Sequence, residues 1–119
     1  MKSHRSLAAW KEARQVARLV IQAARSHWQP WASALFAQVL RASLSVQLNI
    51  AEGAAFGPSP TYTRHLAIAY GSAVESRELI EHLIDADTLP RPLGDELLKH
   101  AARTQSLLLG LLKRHRPIS

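Results

Sequence analysis

The sequence predicts an all-α protein that folds as an up-and-down antiparallel four-helix bundle. Apolar residues recur three and four positions apart through most of the 119 residues, which is the period of helices that bury one face. The six prolines fall at or outside the ends of these periodic segments, where they do least damage to helices. The composition, 47% hydrophobic but only 6% aromatic, is rich in the helix formers Leu and Ala. We expect a single domain over residues 1–119.

The first two helices are expected over residues 7–27 and 30–54. Pro30 separates them, and proline is favoured in the first turn of a helix. The predicted buried seam of helix 1 is Trp10, Ala13, Ala17, Val20 and Ala24. The predicted seam of helix 2 is Leu35, Val39, Ala42, Val46 and Ile50.

The third and fourth helices are expected over residues 60–87 and 93–115. Ser59 followed by Pro60 is typical of an N-cap and a first helical residue, and Pro117 is expected to stop helix 4. The predicted seam of helix 3 is Tyr62, Leu66, Ala69, Ala73, Ser76, Ile80 and Leu83. Short connections favour antiparallel neighbours.

Helices 2 and 4 carry more apolar residues than one buried face requires. The surplus on helix 2 is Phe36, Leu40, Leu44 and Ala51, and on helix 4 it is Leu107, Leu108, Leu109, Leu111 and Leu112. A helix that is apolar on most sides is normally buried on most sides, so we expect a homo-oligomer. The alternative is that isolated apolar residues on a surface need no partner.

The formal net charge of +6 is unevenly distributed. Residues 1–25 carry +5 and residues 91–119 carry +4, whereas residues 61–90 carry −3. The candidate phosphate-binding residues are Lys11, Arg14, Arg18 and Arg25 on helix 1 and Lys99, Arg103, Lys113 and Arg114 on helix 4. Because the first and last helices of such a bundle are neighbours, the two sets are expected to form one basic surface for RNA or DNA.

Two other interpretations of these charges remain open. A charged face can simply keep a protein soluble, or it can meet the acidic end of helix 3 on another subunit. The sequence lacks glycine-rich phosphate loops and interleaved basic and aromatic residues, so nucleic-acid binding is expected to be backbone-directed and weakly sequence-specific. The alternative function is an assembly or adaptor protein that binds a protein partner.

Helix 2 also carries one narrow polar stripe. Its members are Gln38, Arg41, Ser45, Asn49 and Glu52, and the expected partners on helix 3 are Ser72 and Glu75. On so apolar a helix the stripe is expected to face another helix, where each polar group needs a hydrogen bond. We interpret the stripe as a structural network that fixes helix register, with a binding site as the alternative.

Catalysis, metal binding and membrane insertion are not expected. The Glu-x-x-His pairs of di-iron bundles are absent, and Glu78, His82 and Asp85 are interpreted as a solvated face. No catalytic motif occurs, so we expect neither an enzyme nor a cofactor. The longest apolar run, residues 107–112, is too short for a membrane span. The absence of cysteine suits a reducing compartment, and a cytoplasmic location is expected.

The run from Gln38 to Gly53, QVLRASLSVQLNIAEG, resembles the signature helix of the 23S ribosomal RNA intervening-sequence proteins. The opening Trp10, Lys11 and Ala13 and the later Ala69, Tyr70, Gly71, Ser72 and Glu75 are also similar to that family's motifs. The resemblance covers residues 7 to 112. It implies a cytosolic bacterial bundle that assembles into rings, typically homopentamers, with no established enzymatic activity. Some members are encoded within ribosomal RNA intervening sequences, and related bundles accompany reverse transcriptases and contact nucleic acid.

The sequence departs from that family in two places. The segment before helix 2, residues 30–34, lacks the acidic residue that the family usually has there, and Phe56 stands where the family tends to carry an Arg. We expect Trp31 and Phe56 to form an apolar patch at one end of the bundle.

Overall fold

Four α-helices make up most of residues 7–115, the part of the chain that the structure, a computed structural model, describes. The helices are α1 (Ala8–His27), α2 (Ser33–Ala54), α3 (Pro60–Asp85) and α4 (Arg91–His115), and a short 3₁₀ turn, Pro30–Ala32, leads into α2. Each helix packs against the next one in the chain, and α4 packs back against α1. Within residues 7–115 there is no strand, and the predicted all-α four-helix bundle is confirmed.

Local chemistry sets the ends of the helices. Ser59 caps α3, since its hydroxyl accepts a hydrogen bond from the backbone N–H of Tyr62 at 3.1 Å, and the turn before it needs Gly57 at a φ of 63°. Helix α3 ends two residues earlier than predicted, and Asp87 then adopts a φ of 55°. Helix α4 begins at Arg91 instead of residue 93. Pro92 is tolerated there because the N–H groups of a first helical turn have no acceptor within the helix, so a missing N–H costs no hydrogen bond. Pro117 lies outside the described residues.

The core divides into two clusters of buried apolar side chains. One cluster is centred on Phe36, Ile80 and Leu97, and the other on Ile50, Leu66 and Leu108. Between them the helices meet through small residues, which are Ala13, Ser43, Ala73, Ser76, Ala101 and Thr104. The buried hydroxyls of Ser43, Ser76 and Thr104 each bond a carbonyl of their own helix. Each of these three buried hydroxyls therefore has a hydrogen-bond partner.

Much of the apolar surplus predicted for α2 and α4 is buried within one chain. Phe36, Leu108 and Leu111 are buried in the core, contrary to the expectation that these residues need a second subunit. Leu40, Ala51, Leu107 and Leu112 are partly buried against the same clusters. Of the residues named for the surplus, only Leu44 and Leu109 are exposed. The bundle covers the rest because each helix packs against two neighbouring helices, so side chains on more than one of its sides are buried.

The two ends of the bundle differ. At the end that we call the Phe56 end, α2 and α4 finish and α1 and α3 begin, and at the Trp31 end the opposite holds. Trp31 precedes α2 and Phe56 follows it, so they are separated by the length of a 22-residue helix, roughly 33 Å. The predicted joint patch of Trp31 and Phe56 is therefore wrong. No described helix is long and apolar enough to cross a membrane.

Candidate nucleic-acid interface

The four cations predicted on helix 1 lie along the exposed side of α1. In chain order they are Lys11, Arg14, Arg18 and Arg25, and all four are exposed. Fourteen residues of helix separate the first from the last, a rise of roughly 21 Å. Arg18, Gln22 and Arg25 line an open groove of about 470 Å³ on this helix. Its guanidinium, amide and hydroxyl groups can donate hydrogen bonds of the kind that phosphate oxygens accept.

Arg14 is held against its own helix. Its guanidinium carbon lies 5.9 Å from the centroid of the Trp10 ring, within the range of a cation–π contact. The contact orders the side chain while the charge stays exposed.

The cations predicted on helix 4 are also exposed, and α4 is the direct neighbour of α1. They are Lys99, Arg103, Lys113 and Arg114. Of the eight predicted cations, Arg103 is the one with a carboxylate within 4.0 Å inside residues 7–115. The structure thus places both basic stripes on adjoining helices but interrupts them with an acid.

That acid is Glu12, which lies in the seam between α1 and α4. Its carboxylate is 2.6 Å from Nδ1 of His100 and 3.0 Å from Nη1 of Arg103, and the Glu12 and His100 side chains are both largely buried. An ionised carboxylate only accepts hydrogen bonds, so Nδ1 of His100 is the donor. Arg103 is therefore already paired within the chain, and a phosphate that approaches it must compete with Glu12.

The pKa of Glu12 reflects these opposing influences. Burial raises the pKa of the carboxyl group, but hydrogen bonds and positive charge from His100 and Arg103 outweigh burial, so the pKa lies below its ordinary value. Glu12 therefore stays ionised at neutral pH and removes one positive charge from the basic surface.

Four polar side chains join α2 to α3. The hydroxyls of Ser45 and Ser72 are 2.9 Å apart. The Asn49 amide donates to the carbonyl of Ser45 at 2.9 Å and to its hydroxyl at 3.2 Å, and Oδ1 of Asn49 lies 2.9 Å from Nδ1 of His65. We call Ser45, Asn49, His65 and Ser72 the α2–α3 network.

The other predicted members of the polar stripe, and the second partner predicted on helix 3, lie on the surface of the single chain. They are Gln38, Arg41, Glu52 and Glu75, all exposed. Of the predicted stripe on α2, Ser45 and Asn49 are the members that hydrogen-bond to side chains of α3 among the described residues. Within one chain, the network is therefore smaller than the sequence predicted.

His65 belongs to this network and is not among the residues predicted for it from the sequence. It precedes Ser72 by seven residues, which places both on the same face of α3. The imidazole sits close to α2 because residue 53 is glycine, since a Cβ built there would lie 2.7 Å from Cβ of His65. The seven-residue spacing and the Asn49-to-Gly53 turn were the signals available in the sequence.

No group of three or more His, Asp or Glu side chains within residues 7–115 is arranged to hold a metal ion. Glu78, His82 and Asp85, which share one face of α3, are all exposed.

Comparisons with known proteins agree with the helical architecture. Residues 5–110 match the family described as 23S rRNA-intervening sequence protein. A crystal structure from Bacteroides thetaiotaomicron, described as a protein of unknown function from the S23 ribosomal protein family, superimposes with a TM-score of 0.77 at 21% sequence identity. The match covers 88% of this chain and 95% of that one. None of the curated proteins matches.

Proposed function

This chain belongs to the 23S rRNA-intervening sequence protein family, and we propose that it is a non-enzymatic, self-assembling cytoplasmic bundle that binds RNA or DNA with weak sequence specificity. The binding surface is the face of α1 and α4. The observation that carries this proposal is the row of exposed cations on α1, of which Arg18 and Arg25 flank an open groove and have no carboxylate partner among residues 7–115. Such a row favours phosphates spaced along a strand.

The side chains that line the groove favour contacts with phosphates over contacts with bases. The groove lining consists of guanidinium, amide, hydroxyl and aliphatic groups, with no aromatic side chain. Groups of this kind contact the sugar–phosphate backbone and carry little information on sequence. Binding there is therefore expected to depend steeply on salt and weakly on sequence.

Assembly would multiply this weak surface. A ring repeats the same face in each subunit, so a nucleic acid that spans several faces binds more tightly than one that reaches a single face. Long structured RNA should accordingly bind much more tightly than a short oligonucleotide of the same composition.

A second candidate function is an adaptor that binds a protein partner. Three exposed apolar side chains on α2 and α3, which are Leu44, Leu48 and Ile68, favour it. Such a surface is typical of protein interfaces. We assign it to contacts between copies of this chain, and a nucleic-acid role does not require it to be free.

The test is a filter-binding salt titration on a structured RNA with the wild type and the double variant Arg14→Glu/Arg18→Glu. The wild type should lose affinity with a log–log salt slope of about −4, because several bound phosphates release counterions. The double variant should bind at least tenfold more weakly and with a shallower slope. Arg41→Glu/Arg77→Glu changes the net charge equally at positions on α2 and α3, outside the two helices of this face, and it should bind nearly as the wild type does.

Size exclusion with light scattering must accompany these measurements. Weak binding by Arg14→Glu/Arg18→Glu with an unchanged mass supports the proposal. A wild type that binds no nucleic acid even at low salt contradicts it and favours the adaptor. If the double variant loses its assembly, the α1 stripe belongs to a subunit interface and our assignment of the binding surface is wrong.

A further inference from the structure

The Phe56 end of the bundle presents an aromatic ring to solvent. Phe56 lies in the turn after α2 and its side chain is 59% exposed. The ring stacks on the imidazole of His65, with the two planes 12° apart and the centroids 6.0 Å apart. One face of the Phe56 ring is thus supported by the protein, and we call this pair the Phe56 platform.

The support under the platform is fixed by the α2–α3 network. Nδ1 of His65 is bonded to Asn49, and Asn49 is bonded in turn to both oxygens of Ser45. Gly53 allows the close approach of the helices, since a Cβ there would also lie 3.1 Å from the Tyr62 ring. The imidazole is therefore held in one orientation before any ligand arrives, which lowers the entropic cost of stacking on it.

The same end of the bundle carries the excess of positive charge. The half that contains residues 7–17, 44–72 and 104–115 has five cations and two carboxylates, whereas the other half of the described chain has seven of each. The five cations are Lys11, Arg14, Arg64, Lys113 and Arg114, and the two carboxylates are Glu12 and Glu52. An aromatic face in the same half of the bundle as a surplus of cations suits single-stranded nucleic acids, because bases stack while phosphates are neutralised.

We propose that the Phe56 platform is a stacking site for an unpaired nucleobase at the Phe56 end of the bundle, with the strand's phosphates on the cations of α3 and α4. This inference rests on the proposed nucleic-acid function and extends it from backbone contacts to a site that selects single strands. Glu52 lies one helical turn before Phe56 on α2 and is exposed. Its charge repels phosphate, so the phosphates of the strand are expected to contact the exposed cations Arg64 and Lys113 instead.

A base that is paired in a duplex cannot use the platform. Stacking on a ring that protrudes from a helical turn requires a free π-face, which a duplex offers only at its ends. The basic α1 face contacts phosphates of either form, so the two surfaces respond differently to strandedness.

The experiment compares oligo-uridine of about 20 nucleotides with a blunt RNA duplex of the same length, at one salt concentration. Phe56→Leu keeps an apolar side chain but removes the π-face, and it should weaken oligo-uridine binding about tenfold while it changes duplex binding less than twofold. Phe56→Tyr keeps an aromatic ring at this position, so this variant should bind oligo-uridine as the wild type does. Trp31→Leu is the matched control, since it removes an aromatic side chain of similar exposure, 61%, at the other end of the bundle.

The outcomes separate this inference from the proposed function. If Phe56→Leu binds oligo-uridine as the wild type does, while Arg14→Glu/Arg18→Glu loses binding, the platform is not a base site and the proposed function stands. Equal losses on oligo-uridine and duplex, or a change in oligomeric mass on Phe56→Leu, would also overturn the inference, because the ring would then have a structural or interface role. A wild type that binds neither ligand overturns both proposals.

Discussion

Oε2 of Glu12 on α1 lies 2.6 Å from Nδ1 of His100 on α4. Within residues 7–115 this is the shortest side-chain hydrogen bond between helices, and the same carboxylate also holds Arg103. The pair links the two basic helices and at the same time lowers the positive charge between them. Stability and nucleic-acid affinity therefore make opposite demands on Glu12.

Replacement of Glu12 by glutamine should lower stability and raise nucleic-acid affinity. The variant loses two charge-assisted hydrogen bonds in a largely buried seam, at a cost of about 1–2 kcal/mol. For a domain of this size each kcal/mol lowers the melting temperature by about 4 °C. Arg103, released from Glu12, becomes available to phosphate, and RNA affinity should increase severalfold. Glu96→Gln, a similar change at an exposed acid of α4, is the control for loss of negative charge alone.

The stabilising effect of Glu12 should disappear in acid. Its pKa is lower in the folded protein than the ordinary 4.5, so its contribution is fully present above pH 4.5 and is lost as the pH falls through the folded value. Thermal melts of the wild type and Glu12→Gln between about pH 5.5 and pH 2.5 should therefore converge at the acid end. Melting temperatures that stay equally far apart throughout would show that the carboxylate does not act through its charge.

Asn49→Ala should destabilise the bundle through the α2–α3 network. The substitution leaves Nδ1 of His65 without its partner, while the Ser45 hydroxyl keeps its contact with Ser72. An unsatisfied, partly buried polar group costs about 1–3 kcal/mol. Glu52→Ala, an exposed position of the same polar stripe, should change the free energy of unfolding by less than about 0.5 kcal/mol. Urea denaturation measures both. If Asn49→Ala is as stable as the wild type but binds no RNA, residue 49 belongs to a binding site instead.

Two glycines should respond to alanine in opposite directions. At Gly53 a Cβ would meet Cβ of His65 at 2.7 Å, whereas at Gly71 nothing lies within 4 Å. Gly53→Ala should therefore destabilise by about 1–3 kcal/mol through overpacking, although alanine is the better helix former. Gly71→Ala should stabilise an isolated chain by about 0.5–1 kcal/mol. Urea melts at equal protein concentration decide between these signs, and a Gly71→Ala variant with a lower oligomeric mass would place α3 at a subunit contact.

The helices were predictable from the sequence because their boundaries depend on local chemistry. Ser59, Pro60 and Gly57 act within their own turn, and the seam residues follow from a helical period that needs no knowledge of neighbours. The prediction places the start of α4 two residues too late, after Pro92, although a proline in the first turn of a helix loses no hydrogen bond. The burial of Phe36 and Leu108 within a single chain is not predicted, for a different reason. How far a helix is covered depends on its neighbours, which its own period does not reveal.

The candidate site was only partly predictable, since its contacts depend on the axial register between helices. Exposed cations on α1 and α4 could be identified by their spacing alone. The pairing of Arg103 with Glu12 could not, because it requires two residues 91 positions apart to stand at the same height. The stacking of Phe56 on His65 likewise depends on how closely α2 approaches α3 at Gly53.

The protein is expected to be an oligomer, and the family resemblance implies five copies. Leu48 is 54% exposed and Ile68 is 43% exposed. In the sequence, Leu48 is next to Asn49, and Ile68 lies between His65 and Ser72. Both are therefore close to the hydrogen bonds that join α2 and α3. With Leu44 they form an apolar surface that a second copy would cover. Light scattering behind size exclusion should give a mass several times 13.2 kDa.

Charge substitutions locate the contact. Leu48→Glu should dissociate the assembly, because burial of an unpaired carboxylate against apolar side chains is costly. Ile21→Glu provides the control, as residue 21 is apolar and 40% exposed but lines the groove on α1. An assembly that survives Leu48→Glu but dissociates with Leu109→Glu would move the interface to α4. A wild type that elutes as a monomer at micromolar concentration would contradict the prediction, and the apolar surface on α2 and α3 would then be left for a different protein partner.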